Sequence, residues 1–455
     1  MFEVFIPSTK NALLLAVVAI PLWYITTAFA SWYRLRHIPG PLLGSFSYAY
    51  LARMAISANE EEIYRDINKK YGPLVRVGPN ELLTDDPEVL RRTGAVRGKY
   101  GKDSWYISAR FNPYQDIDGA AHDRMKAQTA PAYNGRDIES LEPCVDEQLN
   151  TFLDLIRSKY ATNLDVYGNP PLLEFSSVVS YLTVDVITRA LFGKEFGYLK
   201  AEADTYGFIE ELRSHFPTLA YMLDVRWLRA VAFSKTFLKL FGPKTTDKMG
   251  TGKLMGVAAQ FMDERFKGDP KEKADMLVSE PLNSCSETTA SVIRITMLYL
   301  MSSPPTYQKF KAMIKEAIDA GSVSSPITVA EARRLPFLQA VIYEGLRIRA
   351  PATGLYPKSV PEGGETILGY FVPAGTAIGM NAPAMVKAPA VFGRDIEVFR
   401  PERFLEADDD KRSHMEHEVE MVFGYGRYMC AGKPLAFMEL NKVLFELMRH
   451  FDFHT

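Results

Sequence analysis

Cysteine is the scarcest residue in this chain: 455 positions hold three, Cys144, Cys285 and Cys430. Thiols so few and so far apart build no disulfide framework. That excludes a small secreted scaffold and fits a reducing compartment, with at least one thiol kept for chemistry. A basic excess is missing as well. The 53 Lys and Arg face 55 Asp and Glu, giving a formal net charge of −2, so no footprint for nucleic acid exists. No internal repeat or low-complexity tract is visible. A phosphate loop is excluded too. Gly250-Thr251-Gly252-Lys253 lacks the first glycine at the needed spacing and the hydroxyl after the lysine.

What is present is bulk and an apolar start. With 47% hydrophobic residues the chain can bury a large core, as two or three domains or as one large one. From Ala12 to Tyr33 no charge interrupts a mostly apolar run, long enough to cross a bilayer as a helix. Pro21 is tolerated inside such a helix. Trp23, Tyr24, Trp32 and Tyr33 supply interfacial aromatics, and Arg34, Arg36 and His37 follow directly. That order sets residues 1–33 as an anchor with the remainder in the cytosol. A cleaved signal peptide is the alternative; the run is long for one and lacks a clean small-residue cleavage site. His37-Ile38-Pro39-Gly40-Pro41 then gives a stiff, non-helical stretch inside a proline-rich hinge segment, residues 34–50.

Further on, Glu61–Lys70 reads as a helix, and Leu74–Val77 with Glu81–Thr84 as a strand pair around a Gly-Pro-Asn turn. Asp86-Pro87 opens another helix. Asp118–Ala132 reads as a polar helix carrying His122 and Lys126 four residues apart. Val178–Leu191 reads as a core helix, and 216–241 as apolar helical chain. Gly369–Thr376 reads as strand, turn and strand.

The most informative stretch is Phe423-Gly424-Tyr425-Gly426-Arg427-Tyr428-Met429-Cys430-Ala431-Gly432. Glycines permit positive φ angles and a close ligand approach. A cysteine thiolate can ligate haem iron, and its donation favours O–O cleavage. The helix-favouring run Leu435–Leu447 follows, so Cys430 stands near a helix N-terminus, which favours a thiolate. A buried structural cysteine in a glycine-rich turn is the plain alternative.

Here the chain resembles the cytochrome P-450 family, the haem-thiolate monooxygenases. Phe423, Gly424, Gly426, Cys430 and Gly432 stand in register with its cysteine loop. Tyr428 occupies the place of the family's arginine, and Arg427 lies one position earlier. The resemblance covers roughly residues 34–455. It implies a mainly α fold with small β-sheets and one N-terminal transmembrane helix, the haem-binding domain spanning 51–455. It implies haem b held by Cys430. Arg427, His122, Lys126 and Lys358 become candidate contacts for its propionates, with Arg124 as a substitute. Ser284-Cys285-Ser286-Glu287-Thr288-Thr289 aligns with the oxygen-activating helix, making Glu287 and Thr288 the proton-handling pair. Cys285 takes the place of a glycine there, which narrows the oxygen groove. Glu344, Arg347 and Arg403 become a buried structural ion triad.

Two departures stand out. After Asp275-Met276-Leu277 and Pro281 only a helix from Leu282 to Ser302 remains, half the family's usual span. The family's C-terminal strands have no counterpart beyond Thr455. The expected function is insertion of one oxygen atom from O2 into an apolar small molecule, in the manner of fungal secondary metabolism. Electrons would come from NADPH through a cytochrome P-450 reductase, with cytochrome b5 as a further partner. The expected location is the endoplasmic reticulum membrane, single-pass. The departures leave a defective haem-binding remnant as the alternative; a haem-dependent isomerase or dehydratase is disfavoured by the acid–alcohol pair.

Overall fold

The structure, a computed structural model, describes residues 9–57, 59–109, 119–133, 141–161, 171–266 and 282–453. Asp275–Leu277, Pro281 and the side chain of Cys285 lie outside the described residues. Helices dominate. The N-terminal helix Thr9–Leu35 contains Pro21 and exposes Val17, Val18, Leu22, Trp23, Ile25 and Phe29. Its end is anchored: Leu35 is fully buried, in one cluster with Ile38, Leu74 and Leu82.

Two small sheets follow the expected pattern, with one addition. Strands β1 (Leu74–Arg76) and β2 (Glu81–Thr84) pair antiparallel, Leu74 opposite Thr84. Between Gly101–Lys102 (β3), Lys358–Ser359 (β4), Glu365–Ile367 (β5), Tyr370–Val372 (β6) and Ala377–Met380 (β7), the chain builds the five-stranded order β1-β2-β7-β4-β3 and a separate β5-β6 hairpin. Strand β3 is two residues long, too short to leave a period in the sequence. The 369–376 stretch supplies the hairpin turn and β6, while β7 begins only at Ala377. Leu368 and Gly369 take positive φ there, +49° and +84°, as a tight hairpin turn requires. Asp86 caps the helix Pro87–Thr93, accepting from the amides of Glu88 (2.8 Å) and Val89 (3.2 Å).

The core lies among four long helices. Leu282–Met301 runs against Phe175–Phe192, Pro336–Ile348 and Lys433–His450. Its Ala290, Ile293 and Leu300 are fully buried. Each large aliphatic side chain so buried contributes roughly 1.5–3 kcal/mol. Among the described residues one helix, Phe175–Phe192, is long and apolar enough to cross a membrane, and 61% of it is buried within the protein. It is a core helix, as its sequence predicts. The expected helical stretch over 216–241 is divided between three helices, the first continuing through Pro217, with breaks at Val225 and at Phe233–Ser234, where Ser234 caps the third. These are Phe208–Asp224, Arg226–Ala232 and Lys235–Phe241, the last two exposing Trp227, Val231, Leu240 and Phe241.

Candidate functional site

The glycine-rich turn ends in an exposed thiol. Gly424 and Gly426 take positive φ, +78° and +55°, which an L side chain rarely adopts. The amide of Cys430 donates to the Phe423 carbonyl at 2.7 Å and closes the turn. Cys430 is exposed. Phe423 packs behind it on Phe437, ring centroids 5.6 Å apart. The glycines work differently from expectation. A Cβ on Gly426 would meet the Gly94 carbonyl at 2.4 Å, and one on Gly94 would meet the Tyr425 carbonyl at 2.6 Å. They let two backbone segments touch, and the Arg427 amide donates to the Gly94 carbonyl at 2.8 Å. Gly432 has φ −75° and needs no left-handed freedom; it precedes helix Lys433–His450. That helix's N-terminus lies close to the sulfur in sequence and adds positive potential.

Cations gather round the turn. Lys126 donates to the carbonyls of Arg427 (2.8 Å), Met429 (3.1 Å) and Gly426 (3.3 Å). Burial lowers its pKa, and the nearby Cys430 sulfur opposes that. His122 is buried, with its ring 5.5 Å from that of Tyr428. Arg427 turns away from the thiol: it grips both oxygens of Asp123, at 2.8 and 2.7 Å, and the Gly119 carbonyl at 2.9 Å. Tyr428 donates its hydroxyl to the Tyr100 carbonyl at 2.8 Å. Lys358 donates to the Tyr106 hydroxyl at 2.9 Å and the Tyr356 carbonyl at 3.0 Å. So His122, Lys126 and Lys358 converge near the cysteine turn, and Arg427 braces it from the side. The partner Asp123 and the lysine Lys102 on β3 were missed by sequence reasoning. Asp123 carried a signal, lying between His122 and Lys126; Lys102 carried none.

Burial, then the Lys102 ammonium, holds the His122 pKa down to about 4, against 6.5 for a free imidazole. Above pH 6.5 the ring is neutral whether folded or unfolded. Between 6.5 and 4 only the unfolded chain takes the proton, so folding stability falls as pH falls through that window. The loss is on the order of 3 kcal/mol at full development. Denaturant midpoints should therefore drop more steeply from pH 6.5 to 4 in the wild type than in His122→Gln. Equal slopes would contradict this.

The acid–alcohol pair sits on helix Leu282–Met301. Glu287 is tied by one oxygen to Arg294 at 3.2 Å, and Arg294 also reaches the Ser180 hydroxyl at 2.8 Å. The other Glu287 oxygen is buried without a hydrogen-bond partner among the described residues. Arg294 lies two helical turns on, a spacing that could have been noticed. Thr288 is half-buried beside it.

The ion triad has formed. Glu344 and Arg347 are 0% exposed and Arg403 4%. Glu344 accepts from Arg347 at 2.7 and 2.8 Å, from Arg403 at 3.1 Å, and from the Arg400 amide at 2.7 Å. Arg347 also holds the Ile396 carbonyl (2.8 Å), and Arg403 the Val398 carbonyl (3.0 Å).

A haem makes two demands: a soft axial donor at a face free of side-chain bulk, and cations for its two carboxylates. The exposed sulfur on a glycine turn meets the first. Lys358, whose ammonium lies 4.9 Å from the Tyr428 ring, supplies a cation for the second, and the neutral His122 ring beside it a hydrogen-bond donor.

A family model described as Cytochrome P450 matches residues 39–455. Cytochrome P450 monooxygenase aba1 of Botryotinia fuckeliana is 49% identical over 440 residues, covering 92% of this chain and 86% of that protein. Cytochrome P450 monooxygenase abl1 of Leptosphaeria maculans is 41% identical over 461 residues, covering 96% and 81%. Cytochrome P450 monooxygenase ABA1 of Pyricularia oryzae is 41% identical over 466 residues, covering 96% and 91%.

Proposed function

The chain belongs to the cytochrome P450 family, and from that premise we propose that Cys430 is the axial thiolate of a monooxygenase acting on an apolar small molecule. Membership brings haem iron with a cysteine ligand, and NADPH electrons supplied through a reductase. When bound, the haem supplies activation of O2 for transfer of one oxygen atom. The rest falls to the chain's own residues. The observation that carries the assignment is the exposed Cys430 sulfur on its glycine turn, with Lys126, His122 and Lys358 drawn up around it.

Phe423 backs the thiol, and Gly424 and Gly426 shape its turn. Lys358 and His122 would orient the cofactor's carboxylates, while Lys126, its three N–H groups taken by carbonyls of the turn, would hold the turn itself. Arg427 and Gly432 fix the turn's two flanks, the first through Asp123. Thr288 positions a proton at its hydroxyl, and Glu287 replenishes it; the partnerless Glu287 oxygen is the feature that supports this. Thr288→Ala is expected to cut product formation about 100-fold while NADPH is still consumed, with peroxide released instead. Coupled turnover unchanged in that variant would remove Thr288 from the relay.

The reductase is proposed to dock beside the cysteine turn. A groove of about 730 Å³ opens there, lined by Arg333, Arg412, Met429, Lys433 and Phe437. Cytochrome b5 would share that face. The exposed apolar face of Thr9–Leu35 supports residues 1–33 as a single-pass anchor in the endoplasmic reticulum membrane, with 34–50 as hinge and 51–455 as cytosolic catalytic domain. A role in fungal secondary metabolism is part of the proposal; the relatives' names support it as far as monooxygenase activity in fungi. NADPH-dependent, reductase-dependent oxygenation of a lipophilic substrate library tests the activity. Product that forms without NADPH would point to isomerase chemistry, and failure to retain haem to a remnant.

A further inference from the structure

A line of aromatic rings runs from the cysteine turn to the groove beside it. The Cys430 amide donates to the Phe423 carbonyl at 2.7 Å. The Phe423 ring lies 5.6 Å from that of Phe437, and the Phe437 ring 5.7 Å from that of Tyr343, centroid to centroid. Both spacings belong to aromatic pairs in contact. Tyr343 is half-buried and lines the groove together with Phe437, so the line ends where solvent begins.

Phenylalanine would pack at the end of that line as well as tyrosine does, so the hydroxyl is the feature to explain. Tyr343 stands on helix Pro336–Ile348, one residue before Glu344. Its hydroxyl donates to Glu420 Oε1 at 3.0 Å, within reach of direct proton transfer. Lys433 Nζ holds the other Glu420 oxygen at 2.7 Å, so the acceptor is fixed in place. Burial first, and the charge of Glu420 second, push the Tyr343 pKa up. The side chain therefore stays a neutral phenol. A phenol that loses an electron becomes a strong acid, and here a carboxylate waits for its proton. A phenol paired with a base, at the open end of a ring path that begins behind the thiol, is an arrangement suited to one-electron oxidation.

We propose that Tyr343 is a redox-active tyrosine, giving one electron along the Phe437–Phe423 line and its hydroxyl proton to Glu420 when the haem held by Cys430 is oxidised with no substrate to consume the oxygen. This rests on the haem-thiolate reading of Cys430. The O–H bond of Tyr343 breaks, the electron reduces the oxidised centre by one equivalent, the proton goes to Glu420 Oε1, and a neutral tyrosyl radical remains. A small one-electron reductant of the ascorbate class, entering the groove, returns the electron, and Glu420 returns the proton. The unused oxidising equivalent thus leaves through the groove and spares the thiolate.

The test uses full-length holoprotein without substrate: wild type, Tyr343→Phe and Glu420→Gln. Hydrogen peroxide replaces O2, NADPH and reductase, so the result does not depend on reductase docking. Samples are frozen rapidly and read by electron paramagnetic resonance, and haem bleaching is followed in parallel. Wild type should give a tyrosyl signal that narrows with ring-deuterated tyrosine and is quenched by ascorbate. Tyr343→Phe, which keeps the ring and removes only the hydroxyl, should lose the signal and bleach faster. Glu420→Gln, which leaves a hydrogen-bond acceptor but no base, should weaken the signal. A tyrosyl signal of wild-type size in Tyr343→Phe would overturn the proposal, and faster bleaching beside it would reveal only loosened packing. A wild type that shows the thiolate-type CO band but no tyrosyl signal would overturn the proposal alone. A wild type without that band would overturn the reading of Cys430, and the proposal with it.

Discussion

Replacing Glu344 with glutamine is expected to cost about 3–5 kcal/mol, the toll of breaking a buried ion pair by removing one partner. Its carboxylate accepts from two guanidiniums and one amide in a place without water: Glu344 and Arg347 are 0% exposed. An amide in its place offers one acceptor atom instead of two and donates where only donors face it. Arg347 would then be a buried cation without an anion among the described residues, and Arg403 would keep only Asp395, which it meets at 3.0 Å. A domain is typically stable by only 5–15 kcal/mol, so the loss is a large share of the total. Helix Pro336–Ile348, which carries Glu344, packs on helix Lys433–His450, whose start follows the cysteine turn. Damage to the triad should therefore show as lost haem as well as a lowered unfolding midpoint. Arg347→Lys should be nearly as harmful, because an ammonium cannot span both Glu344 oxygens and the Ile396 and Val398 carbonyls. Wild-type midpoints by urea denaturation in both variants would contradict the assignment.

The cysteine turn was legible because its constraints are local. Positive φ at Gly424 and Gly426 is written as glycine, and the helix after it as an apolar run. The triad was not legible from spacing. Glu88 and Arg91 share the spacing of Glu344 and Arg347 yet lie at the surface, Glu88 77% exposed. Glu331, three residues before Arg334, instead caps a short helix by accepting from the Thr328 amide. Burial separates these cases, and burial is set by residues far away in sequence; only the order of motifs singled out Glu344. Long helices such as Phe175–Phe192 and Leu282–Met301 were legible for the opposite reason: many residues repeat one message. Lys102 was illegible because a two-residue strand has no period, and its place opposite Lys358 appears only when the sheet forms. Arg427 shows the same limit. The sequence places it beside the cysteine, but the Asp123 carboxylate decides which way it faces.

The second large effect concerns the thiol itself. Cys430→Ser changes one atom at an exposed position, and its effect on packing should be small. The turn's backbone bond from residue 430 to the Phe423 carbonyl does not involve the sulfur. A hydroxyl is a far poorer donor to haem iron than a thiolate. The variant should therefore fold with a near-normal unfolding midpoint while losing the haem outright or holding it without sulfur ligation. Monooxygenase activity should disappear with it. The pairing of intact folding with a lost cofactor distinguishes a ligand from a structural cysteine, which would show the reverse.

The absorption spectrum of the reduced, CO-treated protein tests the sulfur–iron bond most directly. Wild type should show the red-shifted band that thiolate ligation produces, and Cys430→Ser should lack it. A wild-type band typical of histidine ligation, or a red-shifted band that survives the loss of Cys430, would contradict the account.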